Sequence, residues 1–191
     1  MLNVEGKNWE YHEKAYIVFN KPPNYECSHK TTHHPSVYSL LPSPFVERGL
    51  QCVGRLDYDT TGLLLISDDG QFIHKMTTPK KNIGKVYHIT TPDPITEKQM
   101  DHLIKGVVLD DDPKPCFATA CEKISENCLA MTIVEGRYHQ VKRMMAAVGN
   151  HVEQLHRTQI GAYCMPADLA QGEWRWLYPD DLKQLSQSIN S

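Results

Sequence analysis

Leu63-Leu64-Leu65-Ile66 is an apolar run of strand length, set between Gly62 and the turn-forming pair Asp69-Gly70, and it constrains the fold more than any other segment. A run this short, bounded by such residues, reads as a buried strand rather than part of a helix. Ala15-Tyr16-Ile17-Val18-Phe19 is a second such run, stopped by Asn20-Lys21-Pro22-Pro23, where proline withholds the donors a ladder needs. Further strands are expected over 85–91, 117–124, 129–134, 151–160 and 173–177, with Ser125-Glu126-Asn127-Cys128 as a hairpin loop. Asp69-Gly70 is expected to form a tight turn after its strand.

Helical signals are fewer. Thr96 and Gln99 match a capping box at the head of a helix over 94–106, with Met100, Leu103 and Ile104 as its apolar stripe and Gly106 to close it. Val141, Met144, Met145 and Val148 give the i, i+3, i+4, i+7 pattern of a second helix over 138–148. Leu182, Leu185 and Ile189 mark one face of a short last helix. Strands in succession with few helices predict an α+β fold with a mostly antiparallel or mixed central sheet. Residues 1–14 are polar and aperiodic and read as a linker, 27–44 as a loop, and 181–191 as a helical tail. The remainder, 15–180, forms the main domain, with two lobes sharing a sheet and dividing near residue 100.

A chain of 191 residues, 40% hydrophobic and 23% charged, suits one well-buried domain. No apolar run approaches the roughly 18 residues of a membrane span, and the first residues lack a secretory layout, so a cytoplasmic address is expected. Six cysteines without a C-x-x-C pair predict reduced structural thiols. The net charge of −3 opposes a nucleic-acid partner, but its distribution does not. Lys75, Lys80, Lys81 and Lys85 lie in a stretch free of Asp and Glu, and Arg137, His139, Lys142, Arg143, His151, His156 and Arg157 form a second basic stretch. Acids gather at Asp110-Asp111-Asp112 and in the tail, so a cationic face with an anionic back is possible.

Asp57 stands at a turn directly before the leucine run, with Arg55 expected to hold the loop on one side. Taken alone it is a turn former that bonds its own backbone. Three ordered blocks change that reading: Gly54-Arg55-Leu56-Asp57 with Thr60 and Gly62; Lys85-Val86-Tyr87; and Glu135-Gly136-Arg137-Tyr138-His139-Gln140-Val141-Lys142-Arg143-Met144. Together with Asn20-Lys21-Pro22, His34-Pro35 and Arg157-x-x-Ile160-Gly161, they resemble the pseudouridine synthases, in particular the RsuA-like group that modifies ribosomal RNA. Gly149-Asn150-His151-Val152, Leu155-His156-Arg157 and the segment from Ala167 to Glu173 are similar to the branch acting on 16S RNA, which implies the uridine at position 516. Branches acting on 23S RNA share the catalytic blocks and are the nearest competitor. Members of the family usually begin with a small basic S4-like domain, so the resemblance implies that residues 1–14 are its remnant or linker and that affinity for free RNA is weakened.

The resemblance implies an isomerase needing no cofactor or metal. Asp57 would be the essential carboxylate, acting as nucleophile at the ribose C1′ or uracil C6 or as a charge stabiliser, Lys142 its ion-pair partner, and Tyr87 the ring beside the flipped base. Arg55, Arg137, His139, Gln140 and Lys85 are the expected substrate-binding residues. The expected partner is ribosomal RNA within a small-subunit assembly intermediate, bound by a monomer, with no membrane. A catalytically silent RNA-binding assembly factor is the alternative from another class. His29, His33 and His34 lack the spacing of a metal site, and Asp59 reads as a solvent-facing turn residue rather than half of a carboxylate pair.

Overall fold

The computed structural model describes residues 1–189. In chain order its elements are β1 (Leu2–Val4), β2 (Lys7–Trp9), β3 (Tyr16–Lys21), α1 (Ser43–Glu47), β4 (Gln51–Val53), β5 (Thr61–Ser67), α2 (Gly70–Thr77), β6 (Lys85–Thr90), α3 (Glu97–Lys105), β7 (Val107–Leu109), β8 (Asp112–Cys116), β9 (Ala120–Ser125), β10 (Cys128–Ile133), α4 (Gln140–Ala147), β11 (Gln154–Ile160), β12 (Tyr163–Cys164), β13 (Trp174–Trp176) and α5 (Pro179–Leu185). Nine strands form one sheet along the path β13-β3-β5-β11-β6-β10-β9, with β4 also on β5 and β12 on β11. Only β5 and β11 run parallel, so the sheet is mixed and mostly antiparallel, as expected.

The uninterrupted apolar runs follow from burial of both sheet faces. Phe19, Leu64 and Ile66 enter one core with Met100, Leu103, Val141, Met144 and Met145 from α3 and α4. Val18, Leu63 and Leu65 enter the other with Met76 of α2 and Leu185 of α5. A strand covered on both sides has no position for a polar residue, hence four apolar residues in succession. The capping box of α3 forms as read, with Gln99 N–H on Thr96 Oγ1 at 3.1 Å and Thr96 N–H on Gln99 Oε1 at 3.2 Å.

Four expectations are corrected. Asp69-Gly70 does not make a hairpin turn: Asp69 caps α2, accepting from the backbone of Gln71 and Phe72 at 3.0 and 3.3 Å, so a helix follows β5. Structure does not start at Ala15, because β1 and β2 form a hairpin through Glu5 and Gly6, both at positive φ. The 27–44 loop contains a 3-10 turn, Val37–Leu40, and the start of α1. The last helix runs from Pro179 to Leu185, leaving Ile189 beyond it; residues 190 and 191 of the expected tail lie outside the described residues.

Trp9 ties the N-terminal hairpin to the body, its ring 5.1 Å from Phe45, 5.7 Å from Trp174 and 6.3 Å from Trp176. Trp9→Ala is expected to destabilise the fold by about 3 kcal/mol, the lower end for deleting a large packed aromatic, because Trp9 is only partly buried. A denaturant titration checks this; a loss below about 1 kcal/mol would show the hairpin to be a passive appendage.

Candidate active site

Three neighbouring strands set the floor of the site. Gly62 of β5 pairs with Arg157 of β11, and Arg157 pairs with Tyr87 of β6, so these residues form one row across the sheet. Asp57 lies in the loop that climbs from β4 to β5, and Lys142 in the first turn of α4. A cleft of about 100 Å³ receives side chains from all these elements: Arg55, Asp57, Thr60, Tyr87, Arg137, His139, Gln140 and Lys142 line it. Seven of the eight expected site residues therefore meet, and Lys85 lines an adjoining cavity.

The carboxylate of Asp57 is one-third exposed and faces an ammonium and an imidazole, with Oδ2 3.4 Å from Lys142 Nζ and Oδ1 3.4 Å from His139 Nε2. Lys142 is shared, since its Nζ donates to Asp59 Oδ1 at 2.7 Å. Asp59 is thus an ion-pair partner and not simply a solvent-facing turn residue. Burial pushes the Lys142 ammonium down, but its hydrogen bond to Asp59 and the charges of Asp57 and Asp59 outweigh it and hold the pKa above its ordinary value. The ammonium stays charged beside Asp57 at neutral pH.

The loop is held by Lys21, the last residue of β3. Its side chain is fully buried and its Nζ donates to the carbonyls of Pro22, Tyr58 and Thr60 at 3.0, 3.0 and 2.8 Å. Two of those carbonyls, of Tyr58 and Thr60, lie in the loop just after Asp57, so one ammonium ties the loop to the end of β3. Arg55 is exposed along the cleft wall instead of bracing the loop.

Arg137 lines the cleft, but its guanidinium donates to Glu135 Oε2 at 2.7 Å, Asp112 Oδ2 at 3.0 Å and the carbonyls of Lys114 and Pro115. Gln140 is buried and accepts from Arg137 N–H at 3.0 Å. Both fix the turn that presents His139, whose left-handed backbone (φ 47°) stacks its ring on Tyr138 at 3.9 Å. His29 and His34 are engaged in ring stacks on Tyr38 and Tyr58.

Arg157, part of the second basic stretch and of the Arg157-x-x-Ile160-Gly161 motif, also reaches the site from β11. It is 3% exposed, donates from Nε to the Leu63 carbonyl at 2.8 Å, and reaches the Tyr87 hydroxyl from Nη1 at 3.4 Å. Its Nη2 and Thr60 Oγ1 are buried polar atoms without a partner, both at the site. Position within the Leu155, Arg157 alternation of a core strand was the available signal.

An ion-paired aspartate beside a sheet-borne tyrosine thus lies in an open cleft on a mixed sheet. The chain belongs to the RNA pseudouridylate synthase family, whose model matches residues 15–147, and it is accordingly an isomerase. It is 42% identical to ribosomal small subunit pseudouridine synthase A of Escherichia coli strain K12 over 173 residues, covering 91% of this chain and 74% of that protein. The protein of the same name in Haemophilus influenzae is 39% identical with the same coverage. A solved pseudouridylate synthase structure superposes with a TM-score of 0.86 and 39% identity over 92% of this chain and 75% of that one.

Proposed function

We propose that this enzyme converts a uridine of 16S ribosomal RNA, the one at position 516, to pseudouridine, with Asp57 as the essential carboxylate. The observation that carries the reading is the Asp57–Lys142 pair at 3.4 Å in one cleft with Tyr87, in a chain whose relatives are named small-subunit synthases. The reaction breaks the ribose C1′–N1 bond, turns the uracil, joins C1′ to C5, and moves the C5 proton away while N1 gains one, so atoms balance without a redox partner. Asp57 acts where the ribose and base separate, as nucleophile at C1′ or C6 or as the charge that steadies an electron-poor C1′. Lys142 faces it with an opposite charge as the base covers it. Unstacking the uridine costs a few kcal/mol, of which stacking on an aromatic ring returns about 1–3; Tyr87 at the cleft wall supplies that ring. His139 and Arg55 approach from the open side, and Arg137 and Gln140 keep that side in shape. The partner is the RNA of a small-subunit assembly intermediate, and the enzyme works as a cytoplasmic monomer.

Purified protein incubated with 16S RNA and with partly assembled small subunits, followed by chemical mapping of pseudouridine, tests this. Conversion at position 516 is expected. Conversion only in 23S RNA would overturn the substrate assignment, and binding without conversion would favour a silent assembly factor. Lys142→Met is expected to lower kcat about 10²–10³-fold, as loss of one preorganised charge does, while Lys142→Arg keeps most of the activity; equal losses in both would point to packing rather than charge.

A further inference from the structure

We propose that the cavity behind Tyr87 is an anion subsite, in which Arg157 and Lys85 hold a backbone phosphate next to the uridine being isomerised. The proposal rests on the RNA-modifying reading above. The cavity, about 350 Å³, shares Arg55, Tyr87 and Gly136 with the catalytic cleft, so a strand entering one passes directly to the other.

Its charge is the argument. Arg157 is buried with Nη2 unpartnered, and the two donors it does use go to a neutral carbonyl and a neutral hydroxyl. Lys85 lies on the neighbouring strand, two residues from Tyr87, and its Nζ finds only the Ile83 carbonyl at 3.3 Å. Among the described residues neither cation has a carboxylate within ion-pair distance. Other part-buried arginines of the chain are neutralised: Arg48 by Asp68 at 2.8 Å, Arg137 by Glu135 and Asp112. Burying like charges together without a counter-ion is costly, and the arrangement leaves these two cations for an anion from outside. Burial, and then the charge of Arg157, push the Lys85 ammonium down to about 8, a strain that a bound anion would relieve. The remaining walls include Val53, Leu65 and Ile160, an apolar lining that strengthens attraction between a phosphate and the two cations. RNA brings one such anion per nucleotide.

The test is binding, read separately from turnover, with a 16S RNA fragment spanning position 516. Lys85→Met is expected to raise Kd about tenfold at low salt and to reduce the slope of log affinity against log salt by about 0.7, the value for one phosphate contact on a single strand. Replacing one linkage beside the target uridine with an uncharged 2′-O-methyl methylphosphonate is expected to weaken the parent enzyme to the same extent and to leave Lys85→Met unaffected. Because the substitution removes an uncompensated, part-buried charge, Lys85→Met is expected to melt no lower than the parent. An unchanged Kd and slope overturn the subsite, and so does a lower melting temperature with an unchanged slope. Should the parent show the expected binding pattern yet form no pseudouridine in this fragment, the subsite stands and the assignment to position 516 falls.

Discussion

Asp57→Asn is expected to lower pseudouridine formation by about 10⁴-fold or more, the scale of losing a group that carries the chemistry, while RNA affinity stays within a factor of about three. Fold should be almost untouched. The carboxylate is one-third exposed and its two ion pairs are both at 3.4 Å, so its removal costs at most about 1 kcal/mol. Lys142 keeps its shorter contact to Asp59 and is not left unpaired. Asp59→Asn is the matching control: it removes the other carboxylate on Lys142, and a loss no greater than about tenfold is expected because Asp57 remains paired. Single-turnover assays on the 16S fragment, with melting curves for each variant, separate the two. Substantial turnover by Asp57→Asn, or equal losses in both variants, would remove Asp57 from its role.

Gly62→Ala is expected to be the most damaging single methyl in the central sheet. Gly62 has φ +104°, and a Cβ placed there would lie 2.3 Å from the Arg157 carbonyl oxygen and 2.9 Å from its nitrogen. Neither atom belongs to a flexible side chain, so β11 itself must move away from β5. Left-handed strain of about 1–3 kcal/mol adds to overpacking of similar size, against a total stability of about 5–15 kcal/mol. At about 2–4 °C per kcal/mol for a chain of this length, the melting temperature should fall by about 5–20 °C. Displacing Arg157 also shifts the Tyr87 hydroxyl it contacts, so the surviving folded fraction should turn over more slowly. A melting temperature within about 2 °C of the parent would mean that the sheet opens at this point without resistance.

Much of the fold could be read from residue patterns wherever a segment carried its own period or cap. The leucine run, the Thr96–Gln99 box and the Val141, Met144, Met145 stripe each announce their element locally. What stayed hidden was short or doubly coded. Strands of three residues, such as Leu2–Val4 and Lys7–Trp9, are below any periodic window. Asp-Gly serves a hairpin turn and a helix cap equally well, and only the chain beyond Asp69 decides. The β7–β8 hairpin is masked by Asp110-Asp111-Asp112 and by two prolines within β8. In the site, the ordered motifs brought Asp57, Tyr87 and Lys142 together, but a motif cannot say whether a cation is wet or dry. Lys21 and Arg157 are both basic residues in strands. Their roles follow from burial, which gives one three carbonyl ligands and leaves the other with an unused donor.

The position of β11 between β5 and β6 bears on how the molecule is made. During synthesis β5 and β6 emerge before β11, which takes one edge of β6 and, beside β4, the Thr61–Gly62 end of one edge of β5. Until residues 154–160 leave the ribosome, that edge of β6 is an open hydrogen-bonding row, the kind of surface that pairs with the wrong chain. The nascent chain therefore passes through a long inactive interval, and closure of the sheet is a late, non-local and slow event. Catalytic competence and protection from aggregation arrive in the same step, so activity can report the completion of folding of each molecule.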